Sequence, residues 1–171
     1  MRLYSLYLNT RTSSGPLAPF DKTNLNCVRW NINWNSVFPT SMNAVKLVNN
    51  NSKCRIKAQF ISDASTAPTW PNQKGTLRIG GLVSNSQNAI SGVLLGAVKP
   101  TQDPTDSTRR YLECDTTQTA GIEISLPSNM SICVGLYNST GDAMTTALEY
   151  ELILHFELEE DDTESRYIVN V

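Results

Sequence analysis

At 171 residues the chain fits one domain of ordinary size, large enough to bury a real core. Charged residues make up 18% and the formal net charge is −2, so there is no positive field to hold nucleic acid, and no apolar run is long enough to insert into a membrane. The opening Met1-Arg2-Leu3-Tyr4-Ser5-Leu6-Tyr7-Leu8-Asn9 lacks the continuous apolar core and small-residue cleavage site of a secretory signal, which sets the expectation of a protein made and kept in the cytoplasm.

In chain order the sequence is a succession of strand-like runs separated by turn chemistry. Residues 3–9 read as a strand, stopped by the polar loop Thr10-Arg11-Thr12-Ser13-Ser14-Gly15-Pro16. Residues 27–34 alternate: Val28, Trp30, Ile32 and Trp34 point one way, Arg29, Asn31 and Asn33 the other, and two tryptophans on one strand face predict a core floor. Residues 45–48 and 53–61 flank Asn49-Asn50-Asn51-Ser52, a hairpin turn by composition. The second run places Cys54, Ile56, Ala58 and Phe60 inward and Lys53, Arg55, Lys57 and Gln59 outward. A wet loop over residues 62–74 carries Pro68, Trp70 and Pro71, and further strands are predicted over residues 76–83, 92–98, 109–114, 121–126 and 131–137.

The most strongly patterned stretch comes last. Leu148, Tyr150, Leu152, Leu154, Phe156 and Leu158 are apolar at two-residue spacing, and Glu149, Glu151, His155 and Glu157 fill the alternate positions, interrupted only by Ile153. As a strand this gives one apolar and one acidic face; as a helix the apolar residues would be smeared around the circumference. At about 3.3 Å per residue the run spans roughly 35 Å, so it predicts a central strand under a sheet that covers its apolar face. No stretch shows a 3.6-residue period. Eight to ten strands with very little helix therefore predict an all-β fold, an antiparallel β-sandwich, and within that class a jelly roll. The long connections 10–26 and 99–108 are expected to carry the chain between two sheets. Residues 1–158 form this domain, and 159–171 are an acidic spacer, Glu159 to Glu164, followed by an apolar arm containing Tyr167, Ile168, Val169 and Val171.

The search for chemistry returns few candidates. With one histidine, the chain cannot assemble the several imidazoles of a cupin-type metal centre, and a Ser-His-Asp set would have to use His155, read here as a solvated strand-face residue. Glu149, Glu151 and Glu157 lie on one face, i,i+2 neighbours being roughly 7 Å apart, but such a stripe is the ordinary pattern of a solvent-facing strand. No cofactor motif and no catalytic set is expected. The cysteines Cys27, Cys54, Cys114 and Cys133 show no C-x-x-C pair and fit either buried thiols or one or two disulfides. The sequons at Asn50, Asn129 and Asn138 fall in predicted turns. Arg55 and Lys57, on one strand face of a charge-poor chain, are candidates for a partner contact, with solvation or pairing to the chain's own glutamates as the competing reading. Trp70 with Asn72 and Gln73 is a candidate glycan platform.

The strand Leu6-Tyr7-Leu8-Asn9-Thr10 with its Ser/Gly/Pro loop, the tryptophan strand Val28-Arg29-Trp30-Asn31-Ile32-Asn33-Trp34 and the closing strand Leu148 to Phe156 together resemble the small single-jelly-roll minor capsid proteins of large icosahedral double-stranded DNA viruses, the algal-virus type. The resemblance extends over most of residues 3–158 and rests on pattern, without a diagnostic motif. It implies a non-catalytic virion component assembled in the host cytoplasm. Its partners would be the major capsid protein, other minor capsid proteins and further copies of itself. The arm at 167–171 is expected to order on such a partner by strand addition. The competing class is a lectin-like attachment module, since lectins also use jelly rolls.

Overall fold

A computed structural model of the chain describes residues 2–23, 27–33, 53–66, 75–80, 93–125, 129–138 and 148–158. These contain ten strands and no helix: β1 (Arg2–Asn9), β2 (Cys27–Asn33), β3 (Lys53–Ser62), β4 (Ser65–Thr66), β5 (Gly75–Gly80), β6 (Val93–Gln102), β7 (Arg109–Asp115), β8 (Ile122–Ser125), β9 (Asn129–Asn138) and β10 (Tyr150–Leu158). Every pairing is antiparallel, in the order β1-β10-β3-β7-β6-β5-β9-β2, with β4 added to β7 and β8 to β3. The predicted hairpin at 45–52, Trp34, and residues 81–83 lie outside the described residues.

Period-two alternation decides which face is buried. On β10 the side chains of Tyr150, Leu152, Leu154 and Phe156 are enclosed, as are Cys54, Ile56, Ala58 and Phe60 on β3 and Val28, Trp30 and Ile32 on β2. Each large apolar side chain buried this way contributes roughly 1.5–3 kcal/mol, against about 1–2 kcal/mol to fix the backbone of each residue. Residues of β1, β3, β7, β8 and β10 share one core cluster with residues of β2, β5, β6 and β9. The sheet therefore curls until its two halves face one another, and the fold is sandwich-like. Trp30 and Tyr150 meet edge-on across this interior at 6.2 Å between ring centroids, and Phe60 lies 5.1 Å from the same tyrosine ring.

The bend is made in β6, where sequence reasoning expects a strand that stops at residue 98 and a loop that crosses between sheets. Instead the strand runs to Gln102 and changes partner on the way: Val93–Val98 pair with β5 and Lys99–Gln102 with β7. Beyond Val98 only one side of β6 is paired among the described residues, an edge position where Pro100, lacking an N–H, is tolerated. A register shift opposite Leu77/Arg78 leaves Leu95 as an extra residue, and such bulges raise the local twist. Gly96 sits in the bend because a Cβ there would stand 2.5 Å from Cys114 Sγ and 2.8 Å from Thr116 Cγ2.

Two threonines close strands that have run out of ladder partners. Thr10, fully buried after β1, donates its N–H (3.1 Å) and its hydroxyl (3.2 Å) to the Tyr150 carbonyl, and its Oγ1 accepts the Tyr150 N–H at 3.0 Å. Thr116, after β7, does the same for Ala58, at 2.9 Å and 3.3 Å to the carbonyl and 2.9 Å from the N–H. The turns use a second device, Asp-x-Thr, in which the aspartate Oδ1 accepts both the N–H and the hydroxyl of the threonine two residues on. It occurs at Asp21/Thr23, Asp103/Thr105, Asp106/Thr108 and Asp115/Thr117. These hydrogen bonds hold all four carboxyls below the ordinary aspartate range. The region read as a wet loop at 62–74 is partly sheet, since Ser65–Thr66 pair with β7 as β4. The cysteines divide: Cys54 and Cys114 are buried free thiols, while Cys133 is disulfide-bonded.

Candidate interaction surface

The outward side of β1, β10, β3, β7 and β8 carries most of the polar residues that the sequence singled out, and the register arranges them in rows. Leu3, Glu157, Arg55 and Glu123 form one row, and Ser5, His155 and Lys57 the next. Tyr7, Ile153, Gln59 and Asp115 form a third; Asn9, Glu151, Ile61, Glu113 and Lys99 form a fourth.

Along these rows the polar groups satisfy one another. Lys57 pairs with Glu157 at 2.6 Å, both ends largely shielded, so its charge is matched within the sheet. Arg55 is exposed and stands in register between Glu157 and Glu123. Glu149 Oε1 lies 3.9 Å from Lys22 Nζ, and Glu151 accepts from Asn9 Nδ2 at 3.4 Å. Glu149, just before β10, and Glu151 and Glu157 on it thus answer to three different partners. Arg11 and Asp63 pair at the end of the face.

His155 is half-buried, not solvated as the alternation suggests. Its Nδ1 is 2.8 Å from Ser5 Oγ and its Nε2 is 3.1 Å from Gln59 Oε1, while Gln59 Nε2 donates to Asp115 Oδ2 at 3.5 Å. A carbonyl oxygen only accepts, so Nε2 carries a hydrogen toward Gln59, and in the neutral ring Nδ1 then accepts from the Ser5 hydroxyl. Acyl transfer also needs donors for an oxyanion. The N–H groups of a strand lie in the sheet plane, pointing along the ladder and away from the face on which Ser5 stands. The chain of hydrogen bonds orients the imidazole, and the strand backbone around Ser5 offers no N–H toward it. Among the described residues no three His, Cys, Asp or Glu side chains group as metal ligands.

Apolar groups interrupt this polar surface. Tyr7 and Ile61 are each 46% exposed and Leu3 62%, with half-buried Ile153 between Tyr7 and Gln59. Over Ile61, Ile153 and Ala97 the face opens into a hollow of about 460 Å³ whose rim carries Glu113, Asp115, Glu151, Gln59 and Lys99. It forms where β6 turns from β5 onto β7, a non-local event that no sequence window reports. The exchange of an acid for Ile153 in the β10 stripe is its one sequence signal. Trp70, Asn72 and Gln73, and the arm residues Tyr167, Ile168, Val169 and Val171, lie outside the described residues. No protein-family model matches the chain, and no curated protein matches it.

Proposed function

We propose that the protein is a structural, non-catalytic jelly-roll subunit of a large icosahedral double-stranded DNA virus, a minor capsid or penton-type component that packs against the major capsid lattice. The observation that carries this reading is the nested strand pairing: β1 with β10, β2 with β9, β3 with β8, and β5 with β6. A double Greek-key jelly roll pairs its strands in this nested way, and capsid subunits and lectins are principal users of that architecture. The third user, the cupin, needs imidazoles that this chain does not have, since its single histidine is engaged by Ser5 and Gln59 on the outer face. The outer face, with its polar groups largely hydrogen-bonded to one another and its apolar islands exposed, suits packing against neighbours. In this reading Arg55 and the arm residues Tyr167, Ile168, Val169 and Val171 contact those neighbours.

The test is purification of intact particles from infected cells on a density gradient, followed by quantitative mass spectrometry. The expected result is a fixed ratio of this chain to the major capsid protein, lost when the chain is ended at Leu158. Recovery only from the soluble fraction refutes it. One observation favours the lectin-like alternative: exposed Tyr7 beside the amide of Asn9, which is in register with the carboxylate of Glu151, the company an aromatic sugar platform keeps. Binding of the isolated protein to a glycan array, abolished by Tyr7→Ala, would decide for it.

A further inference from the structure

The hollow beside Ile61 is not explained by the fold alone. Ile61 is flanked in its row by two carboxylates, Glu151 and Glu113, and diagonally by Ile153, whose row ends at Asp115. An isoleucine left 46% exposed between two acids is poor solvent-facing chemistry and good receptor chemistry: an apolar seat with an anionic collar. Among the described residues Lys99 is the one cation on the rim. It lies 3.2 Å from Glu113 with its side chain 70% exposed. Glu151 accepts from the amide of Asn9 and feels the more distant charge of Arg11, and Asp115 accepts from Thr117 and Gln59 with His155 nearby, but neither has an ion-pair partner within 4 Å among the described residues. Asp115, held ionised by Thr117, keeps its charge down to acidic pH.

We infer that this hollow receives a peptide segment of a protein neighbour in which an aliphatic side chain, seated on Ile61 and Ile153, is flanked by lysine or arginine residues that meet Glu151 and Asp115. The occupant's charge follows from complementarity with the three carboxylates and one ammonium that the described residues place on the rim, and its aliphatic centre from the apolar floor. The inference rests on the assembly reading for the nature of the neighbour, a protein, and adds its chemistry. Like-charged neighbours are rejected by the same collar, which gives the contact specificity more than affinity.

The test uses the full chain, isotope-labelled at isoleucine methyls, titrated with acetyl-Arg-Leu-Arg-amide and with acetyl-Glu-Leu-Glu-amide. Saturable shifts of the Ile61 and Ile153 methyls with the basic peptide alone are expected. Glu151→Gln should weaken binding about two- to fivefold, the size of one exposed ion pair, and added salt should weaken it further. Equal response to both peptides, an unchanged response in Glu151→Gln, or no shift at these two methyls overturns the proposal. Shifts that grow with protein concentration alone assign the hollow to a second copy, and shifts with oligosaccharides alone assign it to glycan; either result also overturns it. Peptide binding by a protein absent from particles would leave the hollow's role standing and the capsid reading lost. Faithful incorporation without peptide binding would do the reverse.

Discussion

Replacing Tyr150 by phenylalanine removes one oxygen from the middle of the core and leaves the ring contacts in place. Tyr150 is 1% exposed, and among the described residues its hydroxyl has no hydrogen-bond partner; nor does the indole N–H of Trp30 opposite it. An unsatisfied buried polar group costs about 1–3 kcal/mol. Against that gain stands the void left by one oxygen, a few tenths of a kcal/mol at about 24 cal/mol per Å³. Tyr150→Phe is therefore expected to be neutral to about 2 kcal/mol more stable, whereas Tyr150→Ala, which also loses Trp30 and Phe60 as ring neighbours, should cost about 3–5 kcal/mol. The measurement is denaturant unfolding followed by tryptophan fluorescence, checked by thermal melting, where about 1 kcal/mol corresponds to roughly 2–4 °C in a chain of this size. Alkaline pH provides an independent arm. Burial pushes the Tyr150 phenol well above its ordinary value of 10.0, so above pH 10 the unfolded chain releases a proton that the folded chain retains. Stability then falls with rising pH in the wild type, and part of that fall should vanish in Tyr150→Phe. A loss of more than about 1 kcal/mol at pH 7 in the phenylalanine variant would mean that the hydroxyl does have a partner, and the argument would fail.

Thr10→Val should cost about 1–3 kcal/mol despite its similar shape, because it strands the Tyr150 N–H that Thr10 Oγ1 now accepts; equal stability by the same unfolding assay would count against the threonine clamp. Leu154→Asp should leave the chain largely unfolded by circular dichroism, since it puts an unpaired charge at a position with 0% exposure. Glu151→Gln on the opposite face should stay within about 0.5 kcal/mol of wild type, and similar stabilities for the two would reverse the assignment of faces. Burial pushes the Cys54 thiol from 9.0 up to about 12, so native protein should resist alkylation at pH 8 until unfolded, and stability should decline as pH rises from 9 towards 12, where only the unfolded chain has lost the proton. Rapid labelling of Cys54 under native conditions would contradict its enclosure.

The faces of β2, β3 and β10 were legible because a period of two leaves little freedom: once Leu154 is inside, Ile153 and His155 are outside. What the outside residues touch was not legible, because it depends on register. Lys57 meets Glu157, and His155 meets Ser5 and Gln59, through neighbours far away in sequence. The course of β6 was missed for a local reason, since Pro100 reads as a breaker unless one knows that the strand is then paired on one side only. Thr10 and Thr116 carry no mark in a threonine-rich chain that separates clamps from solvated residues. The Asp-x-Thr turns did carry one: the spacing occurs five times in the sequence, four of them within the described residues, and its chemistry is local.

The pairing of β1 with β10 also governs the order in which the chain can fold as it is made. Among the described strands, β1 has no neighbour but β10, so its backbone ladder stays unpaired on the ribosome until residues 150–158 emerge. The β5–β6 and β6–β7 pairs close over short separations and are available early. The β2–β9 and β1–β10 pairs must close loops whose entropic cost grows with length. A product of premature termination before Tyr150 is therefore not a smaller version of the domain. It is a sheet with β3 open along the side that β10 should occupy, an unpaired edge of the kind that templates aggregation.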